Sequence, residues 1–502
     1  MITGTIIGLS VYLVICIVIG WLSSRRIRTS TDFIVAGRKL PLWILWATTF
    51  ATFWCAGVVL GAAEETYKGG IIDVIADPYG GGICLILTGL FFIRAMRRMK
   101  CTTPSDFYET RYNKTAGFLC SLFQIACYVG GVGYLFVAFG QILRSFLGIS
   151  LELGIIIGAA VVFIYIIVGG MFAIALTDFV QMIMILIGLI VAFPLALKAA
   201  GGWSSFVSSV PAESFHFAPG AGGGMSAWIG WIAAWAALGL GNIPGGDTFQ
   251  RNLAAKNENV AVWGLIIAGI LYLIIGNIPV LLGIMGKVLV PGLEDPAQVL
   301  PQIAKTVFHP VVFGIFIASL VGATMSSSDS YLLVASSAIG RNVYRFIKPN
   351  VSDKQMLRLN RIMVPVCGIL SIVIALYMQS IYDLMVYTYE LLLGGLFAPL
   401  LLGIYWKKAN SYGAIASMVV GGIITYSLFN VTEAYAIIGC LSGIVTIIIV
   451  SLATQKIDPP KIGIDIYGNK IEFRSRLGFI KPDLSPQFGS DEEEERIANG
   501  SH

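Results

Sequence analysis

Histidine is nearly missing from this chain: three occur in 502 residues, and one is the terminal His502. Without histidine near its acids, the chain lacks the commonest general base and the commonest nitrogen ligand for a metal. No H-E-x-x-H, G-x-S-x-G or phosphate-loop pattern occurs either, which leaves an intramembrane enzyme without its usual groups. The eight cysteines are scattered, mostly in apolar runs, and none forms a C-x-x-C pair. That spacing points to neither a disulfide framework nor a metal cluster. Charge is scarce as well: 12% of residues carry it, against about 25% in a soluble domain. What fills the chain is apolar, 57% of residues, with a mean hydropathy of +0.82. These values describe a polytopic protein whose solvent is the lipid bilayer of the cell membrane. The formal charge of +5 is accounted for by cytoplasmic loops, with no nucleic-acid partner implied.

Apolar runs long enough to cross about 30 Å of hydrocarbon fall at residues 3–23, 41–63, 72–93, 116–147, 151–172, 177–199, 226–246, 260–289, 310–338, 362–379, 381–405, 411–430 and 434–453. The first is no cleavable signal peptide, because basic residues follow it and none precedes it. Basic clusters at Arg25–Lys39, Arg94–Lys100 with Arg111 and Lys114, Arg251 with Lys256, Arg341–Lys348 with Arg358 and Arg361, and Lys407–Lys408 mark cytoplasmic loops. Thirteen spans put every cluster on that side, with the N-terminus outside and the C-terminus cytoplasmic. A glycine- and serine-rich, nearly uncharged loop at 201–225 is then external. Glu64, Glu65 and Asp73 fall near the outer surface, where water can solvate them. Residues 454–502 form a polar tail ending near the acidic run Asp491–Glu495, which reads as solvated chain.

Three features inside the apolar runs carry chemistry. The stretch Gly322–Tyr331 places Ser326, Ser327, Ser328, Ser330 and Asp329 within one span. Hydroxyls, backbone carbonyls and a carboxylate are hard ligands suited to an alkali cation, and an intramembrane acid marks a functional site by default. Serines that bond their own helix carbonyls, or let a neighbour pack closely, are the plainer alternative. Two spans then look broken, as transporter helices are where they hold ions and substrate. Residues 45–57 crowd β-branched, aromatic and small types together, while 239–247 carry four glycines and Pro244. A simple kink or helix end is the competing reading. Finally, Asp77, Asp178, Asp247, Asp329 and Glu390 fall within or at the ends of apolar runs, with no lysine or arginine central to one. Sodium neutralises some of these acids, and a positively charged solute the rest. Trp228, Trp231 and Trp235, at helical spacing, read as a packed or interfacial stripe rather than a ligand cage.

The run Tyr165–Gln181, the loop Phe249–Ala255 and the pattern Gly395–Gly403 resemble signatures of the sodium/solute symporter family, over nearly the whole chain. Gly61–Glu64, Gly89–Phe92, Ile243-Pro244 and the Met325–Ser330 stretch are most similar to its choline-transporter branch. The resemblance implies an all-α membrane protein of about thirteen transmembrane helices, with a leucine-transporter-type five-plus-five inverted repeat and broken helices at the midplane. Its parts would be an extra span and loop at 1–40, repeats at 41–200 and 226–406 flanking the external loop, two further spans at 407–453 and the tail. The family's main sodium site matches the carbonyls of Ala51, Trp54 and Ala323 with the hydroxyls of Ser326 and Ser327. A second cation site of some members matches Asp178 with Ser326, Asp329 and Ser330. The choline branch's tryptophan cage, however, matches Phe53, Gly131, Gly245 and Met385. Acids stand nearby instead, so Phe53, Asp77, Asp247 and Glu390 are expected to bind a cationic amine, polyamine- or choline-like. The alternative within the family is an amino acid such as proline, or a monocarboxylate. A sensor without transport would normally carry a signalling domain, and the tail is too short and polar to form one.

Overall fold

In a computed structural model the chain is described from residue 27 to 469, apart from 56, 221, 349, 379–380, 430, 462–463 and 467, together with residues 18–19 and 22–23. The expected span at 3–23 and the acidic run at 491–495 therefore lie outside the described residues. Among those described there is no extended strand; the architecture is helical throughout.

Polar side chains start the helices at the membrane surface by taking up backbone N–H groups that have no partner in the first turn. A short helix α1 (Ser30–Val35) is opened by a reciprocal box between Thr29 and Asp32. The broken span that follows is α2 (Leu42–Phe53) and α3 (Gly57–Lys68), bent by 53°. Next come α4 (Ile71–Arg98), interrupted at Asp77-Pro78, the short, mostly buried helix α5 (Pro104–Arg111), and α6 (Lys114–Leu147), capped by Asn113. The continuous apolar stretch Leu151–Ala199 (α7) breaks at Gly170, whose φ of 48° places it in the region glycine alone enters cheaply. A Cβ there would meet the Phe33 ring and carbonyl at 2.7–2.8 Å, so α1 lies directly against this break.

A second broken element then opens a second series of five: α8 (Gly224–Gly239) and α9 (Gly246–Leu253), joined by six unwound residues. It continues through α10 (Glu258–Leu289), α11 (Pro310–Ser337), α12 (Asp353–Tyr377) and α13 (Ile381–Leu392, continuing to Tyr405). Two last helices, α14 (Ser411–Leu428) and α15 (Tyr435–Thr454), pack on each other. The centre is built by α2, α7 and α11, which pack mutually, with α6 against α7 and α11 and α9 wedged against α2 and α11.

Among the described residues nine helices are long and apolar enough to span, ten with the bent pair. The expected thirteen is higher by three: the 3–23 span lies outside the described residues, the part of α7 before Gly170 is described over Leu151–Phe163 only, and the sixteen-residue α8 is shorter than a full span. The chain unwinds after Gly239 instead of continuing. Two surface expectations resolve simply: Glu64 and Glu65 both pair with Lys68, at 2.6 and 2.9 Å, and Asp73 caps the Gly70 N–H at 3.1 Å. The tryptophans form a stripe, with Trp228–Trp231 and Trp231–Trp235 ring centres 5.6 and 5.9 Å apart.

At the end of the bundle opposite the 201–225 loop, Asp106 ties α5 to the end of the α11 span. Its carboxylate accepts from Thr102 and Thr103 N–H at 2.8 and 3.1 Å and lies 3.4 Å from the Arg341 guanidinium. Burial by itself raises this carboxyl's pKa, but Arg341 and the two backbone donors outweigh it and hold the group below its usual range. A lowered folded-state pKa stabilises above the unfolded value and loses that contribution as pH falls through the folded one. Thermal unfolding in detergent should therefore show stability falling below about pH 4. Asp106→Asn should flatten that acid limb and cost about 1–3 kcal/mol at neutral pH. An acid limb identical in wild type and variant would contradict this role.

Candidate functional site

Both helix breaks expose backbone inside the bundle, and side chains from distant spans meet it there. At the first, Trp54 leaves the helix (φ −77°, ψ 63°) and the Cys55 N–H turns back to the Phe53 carbonyl at 2.8 Å. In a continuing helix that N–H would have gone to Ala51. The Ser327 hydroxyl crosses from α11 to the Thr52 carbonyl at 2.7 Å, and lies 3.4 Å from the carbonyl of Ala323. Ser326 points into the same packed interior, fully buried, with no hydrogen bond to its hydroxyl oxygen. Asp178 Oδ1 and Thr49 Oγ1 are likewise buried without partners. Unpaired buried oxygens of this kind cost free energy unless a cation or water meets them. Ser327 ties the first break to α11; Ala51 and Trp54 are buried on one side of that contact, Ala323 and Ser326 on the other. Their oxygens are the hard donors a sodium ion requires.

The expected second cation position is filled by the protein itself. Arg251, read from sequence as part of a cytoplasmic basic cluster, lies on α9 inside the bundle with 1% of its side chain exposed. Its Nη2 donates to Asp178 Oδ2 at 3.3 Å and also to the Ser330 hydroxyl, while its Nε reaches Thr48 at 3.2 Å. Ser330 in turn donates to the Ser326 carbonyl and lies 2.8 Å from Asp329. Asp178, Ser326, Asp329 and Ser330 are together as expected, but a guanidinium stands among them. Arg251 reaches the acids from α9, beyond the apolar run 226–246, so no arginine is central to a run and yet Asp178 has a cation of the chain beside it. The eight-residue α9 lies at the end of the broken span and folds its polar face inward, where sequence hydrophilicity suggested a loop.

The remaining acids are held by tyrosines. Tyr272 of α10 donates to Asp77 at 2.6 Å and lies 2.9 Å from the Phe53 carbonyl. Tyr128 of α6 donates to Asp247 at 2.5 Å, and Asn242 approaches the other oxygen at 3.1 Å. Gln124, also on α6, donates to the Pro244 carbonyl and accepts from the Gly246 N–H, so the second break is fully bracketed. Glu390 stands apart on α13, bonded by the Tyr435 hydroxyl of α15. Between the first two acids lies a tyrosine cluster: Tyr128 and Tyr331 rings are 5.0 Å apart, Tyr134 donates to Tyr331 at 3.3 Å, and Tyr331 bonds Tyr389. Phe53 meets Tyr272 edge-on at 6.0 Å.

This cluster leaves no room for a tryptophan at two of the four expected cage positions, Gly131 and Gly245. A Cβ on Gly131 would come within 2.7 Å of the Tyr331 ring, and one on Gly245 within 1.8 Å of Asn242 and 2.8 Å of Asp247 and Tyr128. Tyrosines and acids occupy the volume that larger side chains would need. Sequence inspection passed over these tyrosines, although Tyr128 and Tyr134 flanking Gly130–Gly133 were a usable signal.

A model of the sodium:solute symporter family matches residues 33–421. This chain belongs to that family. The symporter is 30% identical over 446 residues to the high affinity choline transporter 1 of Homo sapiens, covering 83% of this chain and 75% of that one. It is 26% identical to the osmoregulated proline transporter OpuE of Bacillus subtilis, over 92% of this chain and 97% of that protein. The sodium/pantothenate symporter of Haemophilus influenzae is 28% identical, with 78% and 82% covered. Among solved structures, a Na+-coupled sialic acid symporter in its substrate-bound outward-open state superposes with a TM-score of 0.79 at 22% identity, over 90% of this chain and 98% of that one. Mhp1, a nucleobase-cation-symport-1 family transporter, gives 0.57 at 15% identity, over 85% and 95%. The shared fold is that of the sodium-coupled, leucine-transporter-type symporters. The symporter is therefore a multi-pass membrane transporter, not an enzyme, and couples a small solute to sodium.

If the symporter's Arg251 and Asp178 compensate each other, each single change strands a buried charge, at about 3–5 kcal/mol. Arg251→Met should destabilise by that amount, and adding Asp178→Asn should recover most of it. Denaturant unfolding of the purified single and double variants checks this; losses that simply add would mean that the two do not interact.

Proposed function

We propose that the symporter imports a small organic cation, with one sodium ion held between α2 and α11. The observation that carries the solute assignment is the charge pattern of the core. Asp77, Asp247 and Glu390 are buried, and among the described residues none makes an ion pair; each is met by a tyrosine hydroxyl. Tyrosine hydroxyls can satisfy a carboxylate's hydrogen bonding but not its charge. A primary ammonium supplies both, by charge-assisted hydrogen bonds. The neighbouring ring faces of Phe53 and the tyrosines add cation–π attraction, which also serves a quaternary ammonium.

Sodium in this reading is bound by the carbonyls of Ala51, Trp54 and Ala323 and the hydroxyls of Ser326 and Ser327. The second position around Asp178, Asp329 and Ser330 accepts a mobile cation only when Arg251 withdraws. The series 41–200 and 226–406, each opening on a broken helix, are the units that rock against each other to give alternating access. The N-terminus lies outside and the C-terminus in the cytoplasm of the cell. The relatives named for proline and pantothenate support a second reading, in which the solute is a zwitterion or a carboxylate.

Uptake of radiolabelled amines, proline and monocarboxylates into proteoliposomes, with and without an inward sodium gradient, separates the two. A diamine such as putrescine, or choline, should be taken up in a sodium-dependent manner. Asp77→Asn and Asp247→Asn should each weaken a diamine at least about tenfold, or about 1.4 kcal/mol, and a zwitterion much less. If proline or a monocarboxylate displaces the transported solute and amines do not, the cationic reading is wrong. Ser326→Ala with Ser327→Ala should raise the sodium concentration for half-maximal uptake steeply, in protein that still folds and inserts. An unchanged sodium dependence would remove these oxygens from the site.

A further inference from the structure

At the end of the bundle where α8 begins, α8, α13, α14 and α15 leave an open pocket of about 710 Å³. That is the size of a small-molecule site, about 300–1,000 Å³. Ser226 and Ile229 form one wall, and Tyr387, Phe429, Glu433 and Tyr435 much of the rest. The three rings make a continuous edge-to-face set: Tyr387–Phe429 centres are 4.5 Å apart at 71°, Phe429–Tyr435 centres 5.3 Å apart at 72°. Glu433 brings an exposed carboxylate from the turn between α14 and α15. It lies over Gly230 of α8, where a Cβ would come within 2.2 Å of its Oε2, so glycine leaves the space the carboxylate uses. At the inner wall the Tyr435 hydroxyl is bonded to Glu390, which is only 6% exposed.

The pocket therefore offers ring faces, one open carboxylate and a second carboxylate behind a single hydroxyl. Rings and carboxylates both attract cations, while two acids repel an anion and give a neutral solute little. We infer that this pocket is a second binding site for an ammonium or alkylammonium solute, a loading stage apart from Asp77 and Asp247, at which Tyr435 yields Glu390 to the incoming cation. A primary ammonium replaces the hydroxyl as the hydrogen-bond donor to Glu390; a quaternary one uses the rings and the charge alone. This rests on the cationic-solute reading and adds to it a site that Asp77 and Asp247 do not form.

Equilibrium binding of radiolabelled putrescine and choline to the full-length protein tests it, in nanodiscs of phosphatidylglycerol, whose headgroup carries no ammonium. Wild type should bind two equivalents of at least one probe. Glu433→Gln and Phe429→Ala should each weaken one of the two sites about tenfold or more, and Phe429→Trp, which keeps an aromatic face, should retain both. A wild-type plateau of one equivalent, with Asp77→Asn still weakening it, overturns the second site and leaves the cationic reading standing. No binding of either probe by wild type overturns both. Repeating the titration in phosphatidylethanolamine discs separates a solute site from a headgroup site: two equivalents are expected again. A fall to one there alone would assign the pocket to lipid and overturn the loading role.

Discussion

An unwound helix inside a membrane exposes carbonyl and N–H groups where no water can pair them, and each one left unpaired costs on the order of several kcal/mol. The two breaks, at Trp54–Cys55 and Leu240–Gly245, set that requirement for the rest of the bundle. Ser327 answers it for Thr52, Tyr272 stands 2.9 Å from the Phe53 carbonyl that Cys55 N–H already meets, and Gln124 answers it for both Pro244 and Gly246. These groups come from α11, α10 and α6, so three unbroken helices are fixed in depth and rotation by the needs of two broken ones. The proposed solute and sodium sites use the same places, where the freed carbonyls are.

Charge follows the same logic at higher stakes. A carboxylate in a low-dielectric interior needs a counter-charge, and the structure meets that need in two different ways. Asp178 has a resident one in Arg251, delivered by α9 and steadied by Thr48 and Ser330. Asp77, Asp247 and Glu390 are met by tyrosine hydroxyls, Asp247 also by the Asn242 amide, and these neutral partners leave their charge available to something that comes and goes. An ion pair made within the chain sets a structure; an acid with neutral partners alone is suited to a ligand. The division also places coupling next to architecture, since Arg251 shares Ser330 and Asp329 with the helix that presents Ser326 and Ser327.

The aromatic composition of the site changes meaning in three dimensions. A tryptophan cage would recognise a cation through ring faces with little hydrogen bonding. Here Gly131 and Gly245 clear space for Tyr331 and for Asp247 with Tyr128, so ring faces and acceptors are interleaved. Such a lining favours a cation that can also donate hydrogen bonds, and it shrinks the space that bulky trimethylammonium groups would fill.

Class, approximate span positions and the location of both breaks were legible in the chain. They depend on local properties: a run of apolar residues, and proline with glycine that cannot hold a helix. The serine and acid pattern of Gly322–Tyr331 was legible for the same reason, because its oddity is visible against its own neighbours. The pairing of acids was not. Asp178 and Arg251 are 73 residues apart, Asp247 and Tyr128 119, and Asp77 and Tyr272 195, so no local pattern links them. Hydropathy placed Arg251 in a cytoplasmic loop because α9 is polar; packing turned that polarity inward against Asp178. The tyrosines were passed over because an aromatic residue in an apolar span looks like core until its hydroxyl is seen to have an acid opposite. Composition and local pattern determined which acids are buried in this membrane protein, and only the tertiary packing buried Arg251 and decided which of those acids already has a charged partner within the chain.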